Sequence, residues 1–278
     1  MSTTYNCGIL GLGSSVPEKV LTNYDLEKMV DTSDEWISKR TGISQRRIMD
    51  DNTPVYKLGV DAARKALDDA GITAEELDLI IVATETPDYL TPSMACIVQS
   101  KIGARKAAAF DLNAACSGWL YGISVARGLV LSGVADNVLV VASEMQSRVL
   151  DKKDRNTYFL FGDGAGATVV SGAKRGHTIM SEMLFADPAG INMARRSYPG
   201  YEVPVNTTGF DPWLRLDGKA LFRFATQSFA SVVRELIIKS GWKPEDVRWV
   251  VPHQANSRIL KAAAQKSGVP FDRFYLNI

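Results

Sequence analysis

Two distant segments of the chain share one pattern, and this internal repeat points to a duplicated fold. GITAEELDLIIVAT begins at Gly71, and GWKPEDVRWVVPHQ begins at Gly241. Each segment combines a glycine, a polar turn with two acids, an apolar residue (Leu77 or Val247) and an apolar run typical of a buried strand. The residues before each glycine align as amphipathic helices, so a helix, a glycine C-cap and a strand recur together. Because αβ units share this chemistry, chance similarity is the alternative.

The residues after each strand extend the repeat. Both copies continue with a helix that a glycine closes, at Gly103 and at Gly268, and then with a second strand. The first copy goes on to AACSGWLYG, a strand NVLVVAS and a hairpin through FGDGAGATVVSG, whereas the sequence ends at Ile278, where the counterpart of that helix should begin. The pattern predicts an α/β fold with βαβαβ-type halves at residues 1–172 and 173–278. We expect the second half to be incomplete and the chain to be truncated.

The composition disfavours several classes of protein. The 278 residues carry 32 basic and 31 acidic side chains, a net charge of +1, without a concentrated run of Lys or Arg. We therefore expect no binding to nucleic acid or to acidic membranes. Cys7, Cys96 and Cys116 are an odd, sparse set without metal-ligand spacing, so neither a disulfide framework nor a metal site is indicated. With no basic leader and no apolar stretch of membrane-spanning length, a cytoplasmic location is expected.

Two glycine-rich segments resemble nucleotide loops only superficially. GILGLGSSVP lacks the third glycine of a dinucleotide loop and is soon followed by proline, and FGDGAGA precedes a strand instead of opening a helix. Both segments are better explained by close packing of the backbone, which glycine permits.

Cys116 is the first candidate for a chemical role. It lies in FDLNAACSGWLYG, where an apolar run with a polar break turns into a long stretch with hardly any charge. A strand that leads into a buried helix would place the thiol at the helix N-terminus, where free N–H groups and the helix dipole favour the thiolate. Cys116 is therefore a candidate nucleophile. A small core residue among small neighbours is the alternative.

His253 is the second candidate, because it follows the apolar run WVVP. Catalytic groups in αβ sheets gather at the carboxyl ends of strands, and a repeat of strand–helix units brings the matching ends of both halves together. We therefore expect His253 to face Cys116. A structural, hydrogen-bonding role is the alternative, and it is the role that we predict for His177 in KRGHT.

Four segments resemble the β-ketoacyl-acyl-carrier-protein synthase III family of the thiolase-fold superfamily. They are VDTSDEWISKRTGI, AACSG, FGDGAGA and VPHQANSRI. The resemblance reaches from near the N-terminus to residue 278 and is weakest from about Asp187 to Trp213. It implies a thiolase-like fold in α-β-α-β-α layers and an acyltransferase that starts fatty acid synthesis. It also implies a homodimer that needs no cofactor, since CoA enters as the thioester substrate.

The resemblance also implies roles for the two candidates. An acyl-CoA would acylate Cys116, and His253 would then assist decarboxylation of malonyl-acyl-carrier protein and condensation. Family members use the asparagine of a GNTS motif as a further donor, and this sequence contains no GNTS. Asn277 is not its replacement, because it lies in the strand that precedes that motif. We therefore expect low activity, and low stability as well because the missing elements should cover a central sheet.

The resemblance also implies that further residues contact the substrates. The resemblance implies CoA contacts from Thr32, Trp36, Arg40, Arg155 and Asn256. Trp36 would stack on the adenine with the two arginines beside it. The alternatives are a solvated role for each arginine and a helix-core role for Trp36 behind a capping box of Thr32 and Glu35.

Contacts to the carrier protein and to the acyl chain are implied in the same way. Gln254 and Arg258 match the region that receives the acidic carrier protein. Thr91 matches a position that lines the acyl tunnel from across a dimer interface, and its small side chain predicts tolerance of primers longer than acetyl. An ordinary turn residue beside Pro92 is the alternative. Two other identities stay open: a ketosynthase that makes polyketides or signalling quinolones, and a non-catalytic remnant that binds carrier protein.

Overall fold

The structure is a computed structural model that describes residues 7–172, 177–197 and 211–278. The predicted boundary between residues 172 and 173, and much of the linker between the predicted halves, lie outside the described residues. The described strands are β1 (Gly8–Ser15), β2 (Val20–Thr22), β3 (Gln45–Arg47), β4 (Leu79–Ala83), β5 (Ala108–Leu112), β6 (Asn137–Met145), β7 (Asp163–Ser171), β8 (His177–Thr178), β9 (Ala194–Arg195) and β10 (Arg215–Leu216). The described α-helices are α1 (Asn23–Glu27), α2 (Asp34–Thr41), α3 (Tyr56–Ala70), α4 (Met94–Ile102), α5 (Gly118–Leu131), α6 (Gly218–Lys239) and α7 (Ser257–Ser267).

The chain forms two compact units, and each is assembled from several segments. The first unit contains the described residues within Met1–Lys19, Arg47–Gln146 and Gly162–Glu182. The second unit consists of the described residues within Val20–Arg46, Ser147–Phe161 and Met183–Ile278. Residues 20–46 and 147–161 thus belong to the second unit, although both precede the boundary that the sequence predicts.

The first unit is built on a six-stranded sheet with the strand order β5-β4-β6-β7-β1-β8. Strand β4 pairs in parallel with both β5 and β6, whereas β7 pairs antiparallel with β6 and with β1. The carboxyl ends of three parallel strands therefore lie side by side, which is where ligand and catalytic groups gather in αβ sheets. The segment FGDGAGATVVSG, which the sequence predicts to be a hairpin, instead forms the single strand β7, which pairs antiparallel with β6.

Strand β4 is buried along its whole length, because helices cover both faces of the sheet. Ile80 and Val82 point into a core formed with α3 and α4, and Leu79 and Ile81 point into a second core formed with α5. This alternation follows from the two-residue period of a strand. The continuous apolar run in the sequence is the signature of a strand that is buried on both faces.

The glycine run of β1 is a packing site, as the sequence predicts. A Cβ atom on Gly13 would lie 2.1 Å from the carbonyl oxygen of Ala62, and a Cβ on Gly11 would lie 2.5 Å from that of Ala66. Strand β1 therefore approaches α3 so closely that only glycine fits. The second glycine-rich segment forms the start of β7, which begins at Asp163.

The second unit contains α1, α2, α6 and α7, and a buried arginine connects several of its segments. Arg46 is 6% exposed, and its guanidinium donates to the carbonyl oxygens of Leu21 and Phe159 and to the side-chain oxygen of Asn23 at 2.9 to 3.1 Å. Asn23 in turn donates to Asp34, the first residue of α2, at 2.8 Å. Burial lowers the pKa of Arg46 to about 10, so the side chain is charged at neutral pH.

The repeat is visible as matching local contacts in the two units. The guanidinium of Arg64 in α3 donates to the carbonyl oxygen of Lys101 at 3.0 Å, and that of Arg234 in α6 donates to the carbonyl oxygen of Lys266 at 2.7 Å. Arg64 and Arg234 occupy equivalent positions of the repeat. Left-handed glycines close α4 and α7 with φ angles of 84° and 83°.

The apolar runs of the second copy do not form the buried strands that the sequence predicts. Val250 and Phe274 make an isolated parallel bridge, in which the Val250 N–H donates to the carbonyl oxygen of Arg273 at 2.8 Å. Trp249 is 55% exposed and Val251 is 75% exposed. Among the described residues this run makes a β-bridge to one segment, whereas β4 has a paired strand on each side. The prediction of a buried strand is therefore wrong here, because burial depends on neighbours that the pattern does not specify.

Candidate active site

Cys116 lies between the end of β5 and the start of α5, as the sequence predicts. Strand β5 ends at Leu112, a 3-10 turn covers Ala115–Ser117, and α5 begins at Gly118. Gly118 packs against β4, where its added Cβ would lie 2.9 Å from the Cβ of Ala83. The cysteine is thereby fixed beside the carboxyl ends of the parallel strands and next to the free N–H groups that open α5.

The turn that carries Cys116 has an unusual backbone. Ala115 has a φ angle of +48°, in the left-handed region that residues with a side chain seldom adopt. A conformation of this kind costs about 1 to 3 kcal/mol and tends to occur where function needs a special geometry. The turn orients the cysteine so that its side chain is exposed at the surface of the unit.

The pKa of the Cys116 thiol is raised above its ordinary value, contrary to the sequence-based expectation of a favoured thiolate. Neighbouring protein atoms remove part of the hydration of the sulfur, although the residue reaches solvent, and this burial is the largest cause of the raised pKa. The carboxylates of Glu85 and Glu144 raise the pKa further, and a hydrogen bond from the cysteine's own backbone opposes them. Neither acid was expected beside the cysteine, because each belongs to a different strand end.

These acids form a polar cluster that the sequence analysis missed. Glu85 and Thr86 follow β4, Glu144 is the penultimate residue of β6, and Gln146 follows that strand. Gln146 contacts both carboxylates at 3.4 and 3.5 Å. The rule that polar groups gather at the carboxyl ends of parallel strands, applied to IIVATET and LVVASEM, would have identified these positions.

His253 belongs to the second unit, so its surroundings are described separately from those of Cys116. It follows the residues that bridge to Phe274, and burial of its ring lowers its pKa, although part of the side chain is exposed. The imidazole is therefore neutral at pH 7. Gln254 fixes this segment, since its amide nitrogen donates to the carbonyl oxygens of Pro252 and Tyr275 at 2.9 Å each and its oxygen accepts from the N–H of Asn277 at 3.1 Å.

The N-terminus of α7 follows directly. Asn256 is its N-cap, and the side-chain oxygen of Asn256 accepts from the N–H of Arg258 at 2.9 Å. The guanidinium carbon of Arg258 lies 5.8 Å from the centre of the Phe222 ring, and the residue is exposed. In the same unit the end of α2 touches α7, because a Cβ on Gly42 would lie 2.7 Å from the hydroxyl oxygen of Ser257. The helix that carries Trp36 and Arg40 therefore ends beside the segment that follows His253.

The structure brings together Trp36, Arg40 and Arg155, as the resemblance implies. The guanidinium carbons of Arg40 and Arg155 lie 5.0 and 5.4 Å from the centre of the indole ring. Phe159 meets the indole edge-on at 5.3 Å, and Arg155 makes an ion pair with Asp31 at 2.7 Å. A partly exposed aromatic ring flanked by two cations is suited to a flat, anionic ligand.

The predicted capping box of Thr32 and Glu35 does not form, because the N-cap of α2 is Ser33. Helix α2 begins at Asp34, and the hydroxyl oxygen of Ser33 accepts from the Trp36 N–H at 3.1 Å. Serine and threonine both cap well, so the sequence alone did not decide between them. The Thr32 hydroxyl is buried and has no hydrogen-bond partner among the described residues.

Thr91 lies in the first unit, in the exposed segment between β4 and α4. The described residues around Thr91 and Cys116 do not indicate which acyl chain the protein accepts. No described group of His, Cys, Asp and Glu side chains is arranged to hold a metal ion. Each helix within the described ranges is too short or too polar to cross a membrane.

Comparisons with known proteins point in the same direction as the geometry. A family model described as 3-oxoacyl-[acyl-carrier-protein (ACP)] synthase III matches residues 110–188, and the model of the C-terminal part of that family matches residues 237–278. Over 274 residues the chain is 45% identical to the beta-ketoacyl-[acyl-carrier-protein] synthase III of Caldanaerobacter subterraneus subsp. tengcongensis, which spans 98% of this chain and 83% of the relative.

Solved structures agree. The crystal structure of 3-oxoacyl-[acyl-carrier-protein] synthase III from Aquifex aeolicus is similar with a TM-score of 0.90 and 42% identity, over 98% of this chain and 84% of that one. The priming β-ketosynthase of the R1128 polyketide biosynthetic pathway is similar with a TM-score of 0.87 and 34% identity, over 98% of this chain and 81% of that one.

Proposed function

The chain belongs to the beta-ketoacyl-[acyl-carrier-protein] synthase III family, and we propose that it condenses an acyl-CoA primer with malonyl-acyl-carrier protein. It is an acyltransferase with a thiolase-like fold. The observation that carries the proposal is the position of Cys116 at the start of α5, beside the carboxyl ends of three parallel strands. Such a place exposes a nucleophile to a substrate while helix N–H groups face the developing oxyanion.

In the first step Cys116 accepts the acyl group. Its sulfur forms a bond to the thioester carbon, the bond from that carbon to the CoA sulfur breaks, and the thiol proton ends on CoA. Backbone N–H groups that open α5 stabilise the tetrahedral oxyanion. Trp36, Arg40 and Arg155 bind the nucleotide part of CoA, which their cation–π cluster supports. Thr32 and Asn256 are further proposed CoA contacts.

In the second step His253 assists condensation. Carbon dioxide leaves malonyl-acyl-carrier protein, and the enolate carbon attacks the acyl carbon on Cys116. The carbon–sulfur bond breaks, the 3-oxoacyl product leaves on the carrier protein, and the Cys116 thiolate that is released takes a proton from water. Burial lowers the pKa of His253, and this supports the role of a neutral imidazole that donates a hydrogen bond to the enolate oxygen.

Two variants separate the steps. Incubation with acetyl-CoA followed by intact-mass analysis reports acylation, and mass analysis of the carrier protein reports condensation. We expect Cys116→Ala to abolish both reactions, and His253→Ala to retain acylation while condensation falls by about a hundredfold or more. Full condensation by His253→Ala would refute the role of the histidine.

Exposed residues support proposals for the carrier protein and for a second copy of the chain as partners. Arg258 is exposed in the first turn of α7 and supports a contact with the acidic carrier protein. Gln254 is proposed at the same contact, although its amide already donates to the carbonyl oxygens of Pro252 and Tyr275. We place the protein in the cytoplasm as a homodimer without a resident cofactor. Strand β5 is an edge of its sheet and leaves Phe110 39% exposed, which supports pairing with a second copy.

Two alternatives give different results in the same assays. Similarity to a polyketide priming ketosynthase favours a role in secondary metabolism, and a panel of acyl-CoA primers and malonyl donors distinguishes it. The small Thr91 side chain supports acceptance of primers longer than acetyl, which strict acetyl selectivity would refute. A protein that binds carrier protein without catalysis would show no acylation of Cys116 by any primer.

A further inference from the structure

One carboxylate connects the carboxyl ends of β4 and β6. An oxygen of Glu144 accepts from the backbone N–H of Glu85 at 2.7 Å, and its other oxygen accepts from the hydroxyl of Thr86 at 2.5 Å. The Thr86 oxygen then accepts from the backbone N–H of Met145 at 3.0 Å. These bonds close a ring between the two strand ends, in which the carboxylate makes charge-assisted hydrogen bonds. We call it the Glu144 ring.

The Glu144 ring lies beside the turn that carries Cys116. In the parallel register Ala83 of β4 pairs with Leu112 of β5 on one side and with Ala142 of β6 on the other. The ring begins two residues beyond Ala83, and Gly118, two residues after Cys116, packs directly against Ala83. The negative charges of Glu85 and Glu144 both act on the thiol.

We propose that Glu144 is a positioning residue for Cys116: through the Glu144 ring its carboxylate fixes the turn after β4, next to the strand end on which the turn of Cys116 packs, and it holds two carboxylates, its own and that of Glu85, on the side of the thiol. A like charge disfavours the thiolate, and a protonated sulfur is less readily oxidised. The proton leaves the sulfur during acyl transfer and ends on CoA. This inference rests on the proposed function of Cys116 as the acyl acceptor.

Three substitutions separate the charge from the ring. Glu85→Gln removes one charge but keeps the ring, because the ring uses the backbone N–H of residue 85. Thr86→Val breaks two bonds of the ring without changing any charge. Glu144→Gln removes a charge and replaces one of the two carboxylate acceptors of the ring by an amide donor. Glu75→Gln is the matched control, because Glu75 lies in the turn before β4, at the opposite end of that strand, and is half exposed.

The first measurement is the rate at which iodoacetamide alkylates Cys116 across a pH series, followed by peptide mass analysis. At pH 7 we expect Glu85→Gln and Glu144→Gln to be alkylated roughly threefold faster than the unchanged protein, because the thiolate fraction rises. Thr86→Val and Glu75→Gln should keep the original pH profile. A purely structural role for Glu144 would leave the profile of Glu144→Gln unchanged, and that result would overturn the proposal.

The second measurement is acylation by acetyl-CoA at saturating donor. We expect Glu144→Gln and Thr86→Val to lose about tenfold in rate, because the turn beside the sulfur is released, while Glu85→Gln keeps a rate close to the original. Unchanged rates in Thr86→Val would overturn the positioning part. If Glu144→Gln does not unfold cooperatively and is therefore misfolded, the other two variants replace it. Glu85→Gln then tests the effect of the charge, and Thr86→Val tests the effect of the ring.

The alkylation assay contains no acyl-CoA, so the two proposals can fail separately. Shifted alkylation profiles in a protein that no acyl-CoA acylates would refute the proposed function and support the effect of Glu144 on the thiol. Normal acylation combined with identical alkylation profiles would support the function and refute the role of Glu144.

Discussion

Replacement of Gly118 by alanine tests whether close packing of α5 on β4 sets the position of Cys116. The added Cβ would lie 2.9 Å from the Cβ of Ala83, whereas an ordinary contact begins at 3.4 Å. The start of α5 and β4 must therefore separate by about 0.5 Å. Ala83 is buried in a strand that is paired on both sides, so relief requires movement of the backbone. We expect this overpacking to lower the free energy of unfolding by about 1 to 3 kcal/mol.

Gly128→Ala is the matched control in the same helix. No atom lies within 4 Å of the Cβ that alanine would add there. Alanine is the better helix former, so we expect this change to raise the free energy of unfolding by about 1 kcal/mol. The two substitutions make the same chemical change but should change the free energy of unfolding in opposite directions, because of these two glycines only Gly118 faces a strand.

Urea unfolding followed by circular dichroism measures the stability of both variants, and intact-mass analysis measures acylation by acetyl-CoA. We expect acylation of Gly118→Ala to slow by about tenfold, since a shift of a fraction of an ångström disturbs the alignment of the sulfur. Acylation of Gly128→Ala should be unchanged. The packing argument would be refuted if Gly118→Ala were as stable as the unchanged protein, or if both variants lost the same free energy of unfolding.

Four further predictions address other parts of the structure. Arg46→Met should lower the free energy of unfolding by about 3 kcal/mol in urea, because three oxygen acceptors, two of them in buried hydrogen bonds, lose their donor. Ala115→Gly should raise that free energy by about 1 kcal/mol, because glycine adopts a φ of +48° without strain; a loss would contradict this. Burial lowers the pKa of His253 from 6.5, so the folded protein binds a proton less readily than the unfolded chain does. The free energy of unfolding should therefore be highest above pH 6.5 and should fall as the pH drops toward the lowered pKa. His253→Asn should weaken this pH dependence. Arg258→Glu should raise the KM for carrier protein, most at low salt, with acylation by acetyl-CoA unchanged.

The sequence was most informative where local pattern and packing agree. The polar break before Cys116 and the uncharged stretch after it predicted a strand that leads into a helix, and β5 and α5 have that arrangement. The glycines of β1 were correctly attributed to close packing, because no dinucleotide pattern accompanied them. In both cases a few consecutive residues contain the whole signal.

Features that depend on several distant segments could not be predicted. The thiol of Cys116 was expected to ionise readily, but burial raises its pKa, and the carboxylates of Glu85 and Glu144 at two other strand ends raise it further. The run around Val250 was expected to be buried, but burial depends on neighbouring strands that its own pattern does not reveal. Arg46 reaches a carbonyl 113 residues away, and such a contact has no local signature.

The most direct test of the central claim is the mass of the intact protein after incubation with acetyl-CoA. We expect the mass to increase by one acetyl group, with peptide analysis locating the group on Cys116 and with no increase in Cys116→Ala. Absence of the increase with acetyl-CoA and with longer acyl-CoA donors, or its persistence in Cys116→Ala, would contradict the assignment of Cys116 as the acyl acceptor.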